Sequence, residues 1–178
     1  MVELLNGVLL RRIRFSNTSL ILTWFTDLDG KIKVIARGAL RSGSPFAGKL
    51  DLFFHCELLL AFSRRSEIHQ LREVAIKTTF SGIRSSYLKT SAAAYFVELV
   101  ESVTEPEHSA PEIYRLLLRA FDYLDRRSPD AKVVHFFESE LCKCLGLYTP
   151  GLHSAAERIR EAYGQLPETR AALMAQLS

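Results

Sequence analysis

The chain reads as an α+β protein, with a β-rich first part and a helical second part. Three observations carry that reading. Residues 1–79 hold five short runs with β-branched and aromatic enrichment, separated by turn residues. Near residue 80 the apolar period changes from about two to about 3.6. Beyond it, apolar stripes at helical spacing are separated by Pro-containing breaks. Five short strands with a break after the third suit an N-terminal OB-fold β-barrel over 1–79, although an SH3-like barrel fits the same spacing. Residues 80–178 then form an α-helical bundle domain.

The first run, 8–15, ends in loose alternation, Arg11-Arg12-Ile13-Arg14-Phe15. The second, 19–26, contains Trp24 and Phe25, and Asp27-Leu28-Asp29-Gly30 turns it into the third, 31–36. The long run 50–62 predicts a fourth strand, 63–67 a turn, and 68–77 a fifth strand. A helix is expected over 87–103, with Leu88, Ala92, Tyr95, Phe96, Leu99 and Val103 on one face. Pro111 suits the start of the next helix, whose stripe runs from Ile113 to Leu124. Val133, Phe137, Leu141 and Leu145 mark a third helix, closed by Gly146 as a C-cap. Residues 155–163 and 168–177 read as tail helices.

A hydrophobic fraction of 48% excludes a disordered chain, and no apolar run is long enough to span a bilayer. The N-terminus lacks the basic n-region and cleavage site of a signal peptide, so a soluble, cytoplasmic protein with no membrane partner is expected. Cys56, Cys142 and Cys144 are odd in number, and Cys142 and Cys144 point to different faces of a helix. They read as buried free thiols, with no disulfide and no metal. The net charge of +3 is unevenly spread. Residues 1–79 carry twelve Lys/Arg against seven Asp/Glu, a surplus of +5; residues 80–178 carry eleven against thirteen, a balance of −2. The positive field on the first part points to a polyanion there.

The densest signal is the basic, Gly- and Ser-rich stretch 37–49, Arg-Gly-Ala-Leu-Arg-Ser-Gly-Ser-Pro-Phe-Ala-Gly-Lys, which reads as a flexible loop between strands. It carries Arg37, Arg41 and Lys49 and no acid. Gly43, Gly48 and Lys49 match the spacing of a phosphate-binding P-loop. The match fails chemically, because Leu50 stands where Ser or Thr must hold Mg²⁺ and a strand follows instead of a helix. No cofactor is expected. His55, His69, His108, His135 and His153 are scattered, His55 reading as a partly buried strand residue. Glu138 and Glu140 face apart on their helix. Nothing assembles a nucleophile, base and orienting group, so the chain reads as a binding protein and not an enzyme.

A small barrel binds single strands by tracking the backbone along a basic groove and stacking bases on aromatic rings. Arg11, Arg12 and Arg14 lie in one strand, and Lys31 and Lys33 share one face of another. With Arg37, Arg41 and Lys49 they are the candidate nucleic-acid-binding residues. Trp24 is as consistent with core as with stacking.

Specific segments resemble the RecO family of bacterial DNA repair proteins: Gly7-Val-Leu-Leu, Ser19-Leu-Ile-Leu-Thr-Trp-Phe-Thr26, Gly30-Lys-Ile-Lys-Val-Ile-Ala-Arg-Gly-Ala39, and the basic loop leading to Gly48-Lys49-Leu50. In the second part, Phe137-Glu138, Leu141 and Leu145-Gly-Leu-Tyr148 are similar to that family's Phe-Glu…Leu-Gly-Tyr segment. The resemblance is specific over 7–60, weaker over 80–150 and absent beyond. It implies an OB fold joined to a helical domain, and a nucleoid-associated recombination mediator that binds single- and double-stranded DNA. It also implies ATP-independent annealing and work with RecR and the single-stranded-DNA-binding protein SSB. An adaptor bridging RecR and SSB without binding DNA is the alternative. Many members carry a Cys-x-x-Cys zinc element after the Leu-Gly-Tyr segment. Here residues 147–150 run into a short helical tail, as expected either of a lineage that lost the element or of a truncated relative.

The resemblance further implies that SSB's acidic, Phe-ended tail docks between the stripes 113–124 and 133–145, with Arg115, Arg119, Lys132 and Lys143 as the available cations. Many relatives place Arg before the Phe-Glu pair where this chain has His135-Phe136, so weak tail binding is expected.

Overall fold

The computed structural model describes residues 1–148, 151 and 154–177. Five strands, β1 (Val2–Arg14), β2 (Leu20–Thr26), β3 (Gly30–Ala36), β4 (His55–Ala61) and β5 (Ile68–Thr78), close into a barrel in the order β1-β2-β3-β5-β4. All pairings are antiparallel except β3 with β5. A 3-10 helix (Ser81–Ser85) leads to α1 (Tyr87–Val103), α2 (Pro111–Arg126), α3 (Ala131–Cys144), α4 (Ala155–Tyr163) and α5 (Thr169–Gln176). The protein is α+β.

Alternation builds the barrel core. Leu20, Leu22 and Trp24 of β2, Ile32, Val34 and Ala36 of β3, and Cys56, Leu58 and Leu60 of β4 all point inward and are buried. The β2–β3 hairpin turns at Gly30, whose φ of +62° is left-handed; a Cβ there would sit 1.9 Å from the His108 carbonyl oxygen, so only glycine fits.

Two strand expectations are corrected. β1 is longer than 8–15 because Val2–Val8 pair with β4 while Gly7–Arg14 pair with β2, with a bulge between Leu9 and Arg11. The expected strand 50–62 begins only at His55. Asp51 accepts the Leu52 N–H and the Phe54 N–H to form a turn, Phe53 takes a φ of +70°, and Phe53 and Phe54 bond Leu9 across it. The stretch 37–49 is a chain of turns closed by successive three-residue backbone bonds, not a floppy loop; buried Phe46 anchors it to the barrel core. No helix follows Lys49, in keeping with the failed P-loop match.

Contacts divide the chain into two units, Met1–Thr79 with Glu105–Tyr114, and Phe80–Thr104 with Arg115–Ser178. Residues 105–114 thus group with the barrel. Glu107 N–H donates to the Lys31 carbonyl, and Tyr114 donates to or accepts from His55 Nε2 at 2.8 Å while its ring lies against Phe25.

In the second unit, Phe96 of α1 stacks on Phe137 of α3 at 4.0 Å, and Phe121 of α2 meets Phe80 edge-on. Asp130 caps α3 and Ser154 caps α4 through a reciprocal box with Glu157. Glu138, 1% exposed, accepts from Tyr95 Oη at 2.6 Å and from Arg170 at 2.6 and 3.2 Å, tying α1, α3 and α5 together. Cys56 and Cys142 are buried, and burial pushes the Cys56 thiol up to about 12. Among the described residues no helix is long and apolar enough to cross a membrane, and no three His, Cys, Asp or Glu group as metal ligands. The expectations for His153 and for Thr149-Pro150 lie outside the described residues.

Candidate nucleic-acid interface

Two connections matter for an OB-type barrel, the one between β1 and β2 and the one between β4 and β5, because with the β2–β3 face they form the usual oligonucleotide cleft. Here they are residues 15–19 and 62–67. A groove of about 910 Å³ opens between them, lined by Phe15, Ile35, Arg37, Arg41, Phe62 and Arg72 among others. Arg37, Arg41 and Arg72 are exposed, so their guanidinium groups present full charge to solvent at the groove.

The walls are braced by short polar bonds. Phe15 N–H and Ser16 N–H both donate to the Ser19 carbonyl, while Ser16 Oγ accepts from Thr18 and Ser19. The Leu40 N–H donates to the Thr18 carbonyl and the Gly38 N–H to Ser19 Oγ, so the 15–19 loop and the start of the basic stretch are fastened together. On the other wall, Ser63 N–H donates to His69 Nδ1 at 3.3 Å. That leaves the ring proton on Nε2, which donates to Glu107 at 3.1 Å. The His69 ring also lies 4.4 Å from that of Phe62. A pre-braced groove holds a ligand with little ordering cost.

Sheet register locates the remaining cations. Ile13, Ile21 and Ile35 align across β1, β2 and β3, and because Ile35 lines the groove this row belongs to its face. Arg11, Thr23 and Lys33 form the next row on the same face. Lys31 continues it, at the end where Pro106 bridges to β3. Arg12 and Arg14 pair with the core residues Leu22 and Leu20, and so point to the opposite side. Arg12 donates to the Leu50 carbonyl and approaches Asp51 at 4.0 Å; Arg14 donates to the Ser16 carbonyl. Lys49 is half-buried and does not line the groove.

The structure therefore brings Arg37 and Arg41 together in the groove and sets Arg11 and Lys33 beside it. Arg12, Arg14 and Lys49 are not part of that set. Sequence reasoning missed Arg72, Phe62 and the exposed pair Arg64-Arg65 in the second wall. The pair was legible as a basic turn between two strands, but only the barrel topology shows that this turn faces 15–19. Trp24 is fully buried, so it is core and not a stacking residue.

In the helical unit, Arg115, Arg119 and Lys132 are exposed and Lys143 pairs with Glu140 at 2.6 Å. The stripes between them, Leu117, Phe121 and Leu124 and then Val134, Phe137 and Leu141, are buried core. Exposed Phe136 lies on the outer side of α3.

Residues 1–80 match the family model described as recombination protein O N terminal, and residues 84–162 match recombination protein O C terminal. The chain belongs to the RecO family. It is 33% identical over 131 residues to the DNA repair protein RecO of Desulfatibacillum aliphaticivorans, covering 73% of this chain and 51% of that one. Against the Rhodopirellula baltica protein of the same name it is 30% identical over 140 residues, covering 79% and 52%. Against that of Geobacter sulfurreducens it is 32% identical over 140 residues, covering 79% and 57%. The chain thus spans about half the length of these curated relatives. The family match reaches further along the second part than the motifs did, through α4; α5 lies outside it.

Proposed function

We propose that this RecO-family chain acts in DNA repair and recombination as a non-enzymatic DNA-binding mediator, with the groove between residues 15–19 and 62–67 as its DNA-binding face. One observation carries the reading: Arg37, Arg41 and Arg72 converge with exposed aromatic surface in the cleft where OB-type barrels bind oligonucleotides. In this reading the guanidinium groups hold phosphates, and Arg11, Lys33, Arg64 and Arg65 extend the positive surface along the strand's path. The annealing of complementary strands, and partnership with RecR and with SSB on coated DNA, extend the same reading. What supports them is the family and the exposed cations Arg115, Arg119 and Lys132 of the helical unit. Anisotropy with a labelled oligonucleotide tests the core of it. The double variant Arg37→Glu/Arg41→Glu, folded by circular dichroism, should bind at least ten-fold more weakly than the parent, whatever the oligonucleotide's sequence. Unchanged affinity would reject the groove, and no binding by the parent would leave the adaptor role.

A further inference from the structure

The groove carries exposed apolar surface that phosphate binding does not need. Phe15 is 61% exposed and Ile13 52% exposed, and Ile13 continues into the half-buried Ile21 and Ile35 in register. Leaving such side chains in water is unfavourable unless something covers them. The flanking Arg37, Arg41 and Arg72 restrict the occupant to a polyanion that also offers flat apolar faces. Duplex DNA presents phosphates and base edges and hides its base faces in the stack, whereas an unpaired strand exposes them.

We propose that Phe15 and the isoleucine row beside it form a base-stacking subsite that makes the groove selective for unpaired DNA over duplex. This rests on the reading of the groove as the DNA-binding face. The bonds that join 15–19 to 38–40 fasten the backbone that carries Phe15 to the stretch that carries Arg37 and Arg41, so the three side chains project from one braced wall. A strand whose phosphates meet the arginines therefore lays its bases on the ring without further ordering of the loop. A duplex meets the same arginines but gains nothing from the ring.

The test compares the full chain with Phe15→Ala and Phe15→Trp. Each is titrated onto a labelled oligonucleotide of about 20 nucleotides, longer than one OB site, and onto its duplex. Phe15→Ala should weaken single-strand binding about ten-fold, the loss of one stacked base, and leave duplex affinity within about two-fold. Its salt dependence should match the parent's, since no phosphate contact is removed. Phe15→Trp should keep the preference, and 2-aminopurine in the bound strand should be quenched by the parent and not by Phe15→Ala. Equal weakening of strand and duplex, or unchanged single-strand affinity, would overturn the subsite. If Phe15→Ala changes nothing while Arg37→Glu/Arg41→Glu loses DNA, the groove stands and the subsite falls. If the arginine variant also loses nothing, the DNA-binding face itself is wrong.

Discussion

Replacing Arg170 by Ala should unfold the helical unit early, for a reason visible in its buried charge. Glu138 is 1% exposed and accepts from Arg170 Nε and Nη2, from Tyr95 Oη, and approaches His135 Nδ1 at 3.4 Å. Removing the guanidinium leaves a desolvated carboxylate with one strong donor. Deleting one partner of a buried pair costs about 3–5 kcal/mol. The Arg170 side chain is 24% exposed, so water can fill part of its place, and about 2–3 kcal/mol is the better expectation. At a urea m-value of about 1–3 kcal/mol per M, that lowers the midpoint by about 0.7–3 M. Two probes separate the units: Trp24, the chain's single tryptophan, reports the barrel, and ellipticity at a helical wavelength reports α1–α5. The ellipticity midpoint should fall and the fluorescence midpoint should not. Adding Glu138→Gln to Arg170→Ala should recover part of the loss, because the uncompensated charge is gone. An unchanged ellipticity midpoint in Arg170→Ala would refute the reasoning.

Gly30→Ala should destabilise the barrel by more than an ordinary turn substitution, since the added methyl meets the His108 carbonyl; a fluorescence midpoint near the parent's would contradict this. Burial first, and then Lys77, hold the His55 imidazole below its ordinary value. The stability His55 contributes by staying neutral is therefore intact above about 6.5, the unfolded value, and is lost as pH falls through the lowered folded value. Urea midpoints read by Trp24 at pH 7.5 and 5.5 should differ less in His55→Gln than in the parent. His69→Phe should speed hydrogen exchange at the Ser63 amide and weaken DNA binding a few-fold with no change in salt slope; unchanged exchange would mean that His69 does not pin that loop.

Local pattern made the element types legible: β-branched and aromatic enrichment in 19–26 and 31–36 about the turn 27–30, and helical stripes from 87 onward, became β2, β3 and the helices. What local pattern misread was settled by contacts far along the chain. The apolar run at 50–54 has strand composition, yet it turns because Phe53 and Phe54 bond Leu9. The segment 104–111 reads as an interhelical loop, yet Glu107 within it meets His69 of the barrel, and Tyr114 in the first turn of α2 meets His55. Of the site, the basic stretch was visible in composition, but alternation alone could not sort Arg11 from Arg12 because the bulge after Leu9 shifts the register. Arg72 and Phe62 had no signal of their own. They become candidates only when the barrel closes and sets the two loops opposite one another. Glu138, which the sequence offered only as half of a Phe-Glu pair and as facing away from Glu140, owes its buried role to Arg170 thirty-two positions later.

The central claim is that Arg37 and Arg41 hold phosphates in the groove, and the salt dependence of single-strand binding tests it most directly. Each phosphate contact contributes about −0.7 to the slope of log K against log salt. The parent should show a steep negative slope, and Arg37→Glu/Arg41→Glu, with its fold verified, should be shallower by about 1.4. An identical slope in parent and variant, or a parent whose binding ignores salt, would contradict the account.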